Sequence, residues 1–254
     1  MHVTGLGAAG IRDREWMVVD RAGRFVTQRE RPRLALVSTA VVDGGLLLSA
    51  PGVGTLSLSP SLPGSVQAVT VWHSNVQGID AGDDAARWIS AWVRAEVRLV
   101  RFDRAKPRMC NPDFVGDSGA HTLFADGYPL LVIGQSSLDD LNARLAAKGD
   151  KSLPMNRFRP NVIVSGLDPY AEDHIDTLEC GGVALRLVKP CARCKVTTTD
   201  QETARVGIEP LSTLSTYRRD DALAAVMFGM NAIVASGVGR TLVAGDPARV
   251  EYRF

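Results

Sequence analysis

The sequence predicts a mainly β protein with a few helices, and three observations predict it. Short apolar runs bounded by turn residues follow one another through the first hundred positions. Glycine (24) and proline (13) among 254 residues supply turns at the density such a chain requires. Only two stretches carry apolar residues at helical spacing.

In chain order, Glu15–Asp20 and Phe25–Gln28 read as a hairpin around Arg21-Ala22-Gly23-Arg24. Leu34–Val42, Gly45–Ser49, Thr55–Leu58 and Val66–Trp72 follow as strands, a spacing that suits a barrel or sandwich-like sheet. Asp83–Val93 reads as a helix capped by its aspartates, with Trp88, Ile89, Trp92 and Val93 on one face as core. A second helix runs from Ser136 or Ser137 to Ala147 behind a Ser-x-x-Asp cap, burying Leu138, Leu141 and Leu145. Between the helices, Phe102–Asp126 is irregular and polar, a linker or an active-site loop. Pro160–Gly166 and Gly182–Val188 read as strands, and Ala232–Phe254 as two or three more, turning at Gly237 and Gly245. A division falls near residue 105, giving regions 1–105 and 106–254.

Composition removes several function classes. With 45% hydrophobic and 22% charged residues the chain is of ordinary globular type, and a net charge of +1 gives no bulk attraction to nucleic acid or anionic membrane. Four cysteines, Cys110, Cys180, Cys191 and Cys194, are too sparse for a secreted disulfide framework. No apolar run approaches the ~20 residues of a spanning helix, and Met1–Leu6 lacks the features of a signal peptide. The expectation is a cytoplasmic protein with reduced thiols, bound neither to membrane nor to nucleic acid.

Chemistry concentrates at Lys189-Pro190-Cys191-Ala192-Arg193-Cys194-Lys195, ahead of Thr197-Thr198-Thr199-Asp200. Proline lacks an N–H, so Pro190 is expected to end strand pairing before the cysteines and leave them on a loop. Lys189, Arg193 and Lys195 would favour the thiolate there. Cys-x-x-Cys by itself leaves three readings open: zinc, a redox dithiol, or two packed cysteines. Zinc needs four ligands, yet Cys110 and Cys180 stand alone and His2, His73, His121 and His174 show no paired spacing. A dithiol needs a helix start in a βαβ unit, which the threonine run does not suggest.

Two arginine-dense segments, Arg12-Asp13-Arg14-Glu15-Trp16 and Arg157-Phe158-Arg159-Pro160-Asn161, abut apolar strands. The planar guanidinium fork suits phosphate, so converging arginines point to an anionic ligand. Ion pairing at the surface, for instance Arg14 with Asp13 or Glu15, is the competing reading.

Taken in order, these segments together with Asp168-Pro169-Tyr170-Ala171-Glu172-Asp173 and Phe228-Gly229 resemble MOSC-domain proteins, named for the C-terminal domain of molybdenum cofactor sulfurase. The branch most similar is that of bacterial relatives of the mitochondrial amidoxime-reducing component. The resemblance runs from about Val3 to the C-terminus. It implies an N-terminal β-barrel-like region (1–105) followed by a MOSC β-barrel domain (106–254). It further implies a pyridoxal phosphate-independent oxidoreductase that carries a molybdenum–molybdopterin cofactor.

By position in the motifs, Cys194 would be the molybdenum ligand and the catalytic centre, with Cys191 its neighbour. Arg14, Arg159, Asn161, Ala192 and Arg193 would hold the cofactor, joined by Asp126, Gly127, Tyr128 and Asn231. The resemblance also implies reduction of small N-hydroxylated compounds: amidoximes, hydroxylamines and N-hydroxylated base analogues. Electrons would come from a separate donor protein of flavin, ferredoxin-like or cytochrome b5-like type. The alternative is a molybdenum cofactor or sulfur carrier without turnover. The family's Pro-Val-Lys-Ser segment, upstream of Arg-Asp-Arg, has no counterpart in this chain; its absence is expected to weaken cofactor binding and leave a sheet edge open.

Overall fold

The computed structural model describes all residues except 2–4, 9, 60, 62–63 and 254, so Val3, His2 and Phe254 lie outside the described residues. The chain is mainly β, as its residue pattern predicts. In the N-terminal part an antiparallel sheet runs in the order Phe25–Val26, Trp16–Val19, Arg98–Phe102, Ser74–Asp80, Val66–Val71. Its two outer strands meet: Arg24 bridges Thr70, and the Thr70 N–H donates to the Gly23 carbonyl at 2.9 Å. The sheet thereby curls into a barrel and removes part of its own edge. The hairpin Trp16–Val19/Phe25–Val26 forms as expected.

A three-stranded sheet, Ser38–Val42, Gly45–Ala50 and Gly54–Leu58, lies beside it. In its middle strand Leu46, Leu48 and Ala50 alternate inward, whereas Ser38–Val42 is an edge strand exposed at every residue. The helix Asp83–Val93 packs over this region, burying Ala85, Ile89, Trp92 and Val93, and the Trp92 indole donates to the Arg33 carbonyl at 2.9 Å.

The second half is built on a seven-stranded sheet ordered Val162–Val164, Leu130–Gly134, Ala225–Ser236, Val183–Arg193, Ile175–Cys180, Ala248–Tyr252, with Arg219–Asp220 also paired to Ala225–Ser236. Leu130–Gly134 and Val162–Val164 are parallel and joined by the helix Gln135–Ala147, which buries Leu138, Leu141 and Leu145. The remaining ladders are antiparallel. Gly229 lets the long strand pass close to its neighbour. Its φ is +77°, and a Cβ there would stand 2.6 Å from Ile133.

Several expectations are corrected. Pro190 does not end its strand, which continues to Arg193; two register shifts flank the proline and absorb its missing donor. Residues 32–36 form a 3₁₀ turn, because Pro32 favours a helical start, and the strand begins only at Ser38. Asp83 and Asp84 sit in the first turn of their helix rather than capping it; Gly82 is the cap residue. The second helix starts at Gln135, and Ser137 bonds inward to Glu172 instead of capping. Phe102–Asp126 contains a short ladder, Arg108–Met109 with His121–Thr122, and a helical turn at Pro112–Val115. The strand before Gly237 begins at Ala225, earlier than expected.

Candidate functional site

Between the two halves lies a cavity of about 520 Å³. Arg14, Asp126, Gly127, Tyr128, Arg159, Asn161, Ala192, Arg193, Cys194 and Asn231 all line it, together with Cys191. An apolar arm, lined by Val18, Leu34, Val37, Leu46, Leu48 and Leu99, extends toward the N-terminal sheets.

The thiol side is carried by the end of the strand Val183–Arg193. Asn231, on the adjacent strand, donates through Nδ2 to the Lys189 and Pro190 carbonyls at 3.3 and 3.4 Å, substituting for ladder donors where the register shifts. Cys194 follows in extended conformation as the cap of the 3₁₀ turn Lys195–Thr198. Its carbonyl accepts from Thr197 N at 3.1 Å and Thr197 Oγ1 at 2.9 Å. Thr198 Oγ1 donates to the Lys195 carbonyl at 2.8 Å, so buried threonines satisfy themselves within the turn that presents the sulfur.

The charges near the sulfurs are not all those the sequence suggests. Arg193 Nη1 reaches Cys191 Sγ at 3.0 Å, and Arg29 Nε reaches Cys194 Sγ at 3.4 Å. The Lys189 ammonium instead lies over the Phe114 ring at 4.4 Å, and Lys195 is exposed.

The cationic side stands on two turns. Arg14 and Arg159 both occupy the left-handed region, with φ of 52° and 55°. Such conformations in non-glycine residues persist where surrounding bonds over-determine them. Here Asn161 does so: its Oδ1 accepts from Leu131 N at 3.0 Å and Arg14 Nη1 at 3.3 Å, and its Nδ2 donates to Asp13 Oδ2 at 2.8 Å. Arg14 also pairs with Asp13 and donates to the Arg159 carbonyl at 3.0 Å. Arg14 thus makes the ion pair with Asp13, and the two arginine-dense segments also converge on one cavity.

Arg193 Nη2 donates to the Phe158 carbonyl at 2.7 Å, while its buried Nε has no partner among the described residues. The Arg159 guanidinium has no hydrogen bond or ion pair among the described residues. Arg159 keeps exposed surface, yet desolvation of its guanidinium by the surrounding walls, and then the neighbouring Arg14 and Arg193 charges, push its pKa below the ordinary arginine value, with Asp13 and Asp126 offsetting in part. An anion in the cavity would relieve this repulsion and accept the free fork.

The loop at 123–128 closes the wall. Arg108 donates to the carbonyls of Leu123 at 3.1 Å, Asp126 at 2.7 Å and Ala125. The Asp126 carboxylate accepts from the Trp72 indole at 2.9 Å. Burial, reinforced by Cys110 and Asp113, raises the Tyr128 phenol to about 12, so it remains a neutral donor near pH 7. The Asp168–Asp173 segment does not line the cavity. Its buried Glu172 binds Gly134 N at 3.0 Å and Ser137 Oγ at 2.7 Å, Tyr170 hydroxyl meets Asp140 at 2.6 Å, and Asp173 pairs with Arg218 at 2.5 Å. It buttresses the sheet behind Phe228, which stacks on Phe158 at 4.4 Å.

Sequence reasoning missed Arg29, Trp72, Arg108 and Gln201. Nothing local signals them; Arg29 lies 165 positions from the sulfur it meets. Among the described residues, no three His, Cys, Asp or Glu side chains converge as a metal site, so a metal bound at Cys194 would take most of its ligands from elsewhere.

A family profile described as "MOSC N-terminal beta barrel domain" matches residues 1–96, and one described as "MOSC domain" matches residues 120–249. Mitochondrial amidoxime reducing component 2 of Bos taurus is 36% identical over 223 residues, covering 85% of this chain and 65% of that protein. Mitochondrial amidoxime-reducing component 1 of Homo sapiens is 35% identical over 256 residues, covering 96% of this chain and 74% of that protein. A solution structure from Bordetella bronchiseptica shares 28% identity over 39% of this chain at a TM-score of 0.32 and has no weight for the fold. The chain thus spans about two thirds of the bovine relative, and no helix among the described residues is long and apolar enough to cross a membrane.

Proposed function

The chain belongs to the MOSC-domain family, and from that premise we propose that it reduces small N-hydroxylated compounds with a molybdenum–molybdopterin cofactor seated in the cavity beside Cys194. The observation that carries the reading is the union, in one cavity, of two thiols and four guanidiniums, of which that of Arg159 has no partner among the described residues. The same reading divides the chain into an N-terminal barrel-like region, 1–105, and a MOSC domain, 106–254, acting in the cytoplasm.

The residues present fit that group. Cys194 offers one soft thiolate, and the pterin's own sulfurs make up the ligands that the chain does not provide. Arg159 supplies a planar fork uncommitted among the described residues for the phosphate, and Arg193 adds a buried Nε–H that has no partner among them. Arg14 is held to Asp13 and Asn161, so it shapes the anion site more than it bonds within it. Asn161 and Asn231 are engaged in the same way, fixing the turn and the strand end that present Arg14 and Cys194.

When bound, the cofactor supplies two-electron redox chemistry at an N–O bond. Overall, an N-hydroxyl group, two electrons and two protons become N–H and water. The electrons come from a separate donor protein of flavin, ferredoxin-like or cytochrome b5-like type. Tyr128 lines the cavity as a neutral hydroxyl that can hydrogen-bond the substrate's polar head, and the loop clamped by Arg108 keeps it there.

The decisive experiment measures molybdenum and pterin in protein expressed in a cofactor-making host, wild type beside Cys194→Ser, with turnover of an amidoxime driven by a chemical reductant. Near-stoichiometric molybdenum and turnover in wild type, both lost in a variant that still melts like wild type, are expected. Molybdenum without turnover would establish the carrier instead. Full activity in Cys194→Ser would end the assignment.

A further inference from the structure

Arg29 belongs to neither arginine-dense motif, yet its guanidinium enters the cavity. Its Nε–H points at Cys194 Sγ at 3.4 Å. Its guanidinium carbon stands 4.2 Å from the Trp72 ring centroid and 5.7 Å from that of Phe25. Those two rings lie 5.1 Å apart and tilted by 58°, forming a shelf on which a flat cation rests. No ion pair involves Arg29 among the described residues, and Cys194 is the one hydrogen-bond partner of its guanidinium there. A long, half-buried charged side chain held this way has given up rotamer freedom for a sulfur, which calls for a role at that sulfur.

The surrounding bonds hold it in place. Thr27 donates through N and Oγ1 to the Glu30 carboxylate at 2.9 and 2.7 Å, and Arg29 N donates to Thr27 Oγ1 at 3.1 Å, so the segment is locked into a tight turn. Gln28 and Gln201 exchange amide bonds at 3.3 and 3.0 Å, tying that turn to the segment just beyond Cys194. Trp72 itself adopts a left-handed φ of 55°, and its indole edge holds Asp126 while its face carries Arg29. One strained residue therefore orients two walls of the cavity at once.

We propose that Arg29 is the positioning residue of the metal-binding thiolate, held by the Trp72–Phe25 shelf. The Nε–H bond fixes one side of Sγ and draws electron density off the sulfur. A less electron-rich thiolate stabilises an oxidised metal less, so the bond raises the reduction potential of molybdenum bound at Cys194. This inference rests on the proposed function for the metal, but not for the bond itself.

Two measurements test it. In cofactor-free protein, the arginine Nε–H resonance that disappears in Arg29→Met should move in Cys194→Ala and stay put in Cys191→Ala. A resonance unmoved by Cys194→Ala would overturn the proposal. In loaded protein, Arg29→Met should keep its molybdenum, shift the midpoint potential downward, and lower kcat roughly tenfold with KM within about twofold. Arg29→Lys should not restore either value, since an ammonium offers neither the flat face nor the Nε–H. Trp72→Leu should share both changes in smaller measure. An unchanged potential in Arg29→Met would overturn the proposal. Should wild-type protein bind no molybdenum, the proposed function falls, and the resonance test, which needs no metal, still decides the Arg29–Cys194 bond.

Discussion

The two sides of the cavity are built by different means. The thiol side hangs from the end of an eleven-residue strand and is set by ladder register and by threonine hydroxyls bonding three residues back. The cationic side rests on two left-handed turns tied together by side-chain bonds that span 145 to 148 positions of chain. The first rests mainly on backbone pairing and short-range bonds, the second mainly on side-chain bonds between distant segments. Local bonds survive the loss of any single member better, because backbone pairing holds the rest. A side-chain network fails as a unit once one member leaves buried donors unpaired.

The largest difference between the sides should come from Asn161→Ala. It removes the acceptor for Leu131 N and Arg14 and the donor to Asp13, leaving a buried N–H unsatisfied, for a loss of about 3 kcal/mol in denaturant unfolding. Cofactor retention should fall with it, since Arg14 and Arg159 lose their common support. A loss below about 1 kcal/mol would show that the turns hold without their network.

Arg159→Ala should separate binding from stability on that same side. Its guanidinium has no protein partner among the described residues, so the unfolding free energy should stay within about 0.5 kcal/mol of wild type while pterin retention falls about tenfold, or ~1.4 kcal/mol. Pterin content equal to wild type would remove Arg159 from the anion site.

The smallest effect belongs to the thiol side. Thr197→Val deletes the hydroxyl bond to the Cys194 carbonyl but leaves the Thr197 N–H bond in place, so about 1 kcal/mol of stability should be lost and molybdenum content kept. Loss of molybdenum in this variant would mean that the turn, like the opposite wall, depends on single side-chain bonds.

The same contrast explains what was legible beforehand. Strands such as Trp16–Val19 and Gly45–Ala50 alternate inward and outward, a period that any reader of the chain can count. The leucine face of Gln135–Ala147 is equally plain, although its first residue is not, because the serine offered as a cap was drawn inward by Glu172. Pro190 misled for a related reason. Proline chemistry predicts a strand end, but the register shifts accommodate the missing N–H and the Asn231 amide donates to the Lys189 and Pro190 carbonyls, and both come from a neighbouring strand. Ten residues named from motifs line one cavity, yet Arg29 and Trp72 carry no local mark.

By itself, then, the sequence determined the β architecture and the two helical core faces, since periodicity is a local property of a chain; the thiol and the arginines Arg14, Arg159 and Arg193 were indicated only by motifs shared with a family, without Arg29. Tertiary structure alone decided which arginine is left without a partner, which cation meets the Cys194 sulfur, and which asparagines act as struts. Those outcomes depend on hydrogen bonds between groups 30 to 165 residues apart, and their directions exist only once the sheets have curled and closed on one another.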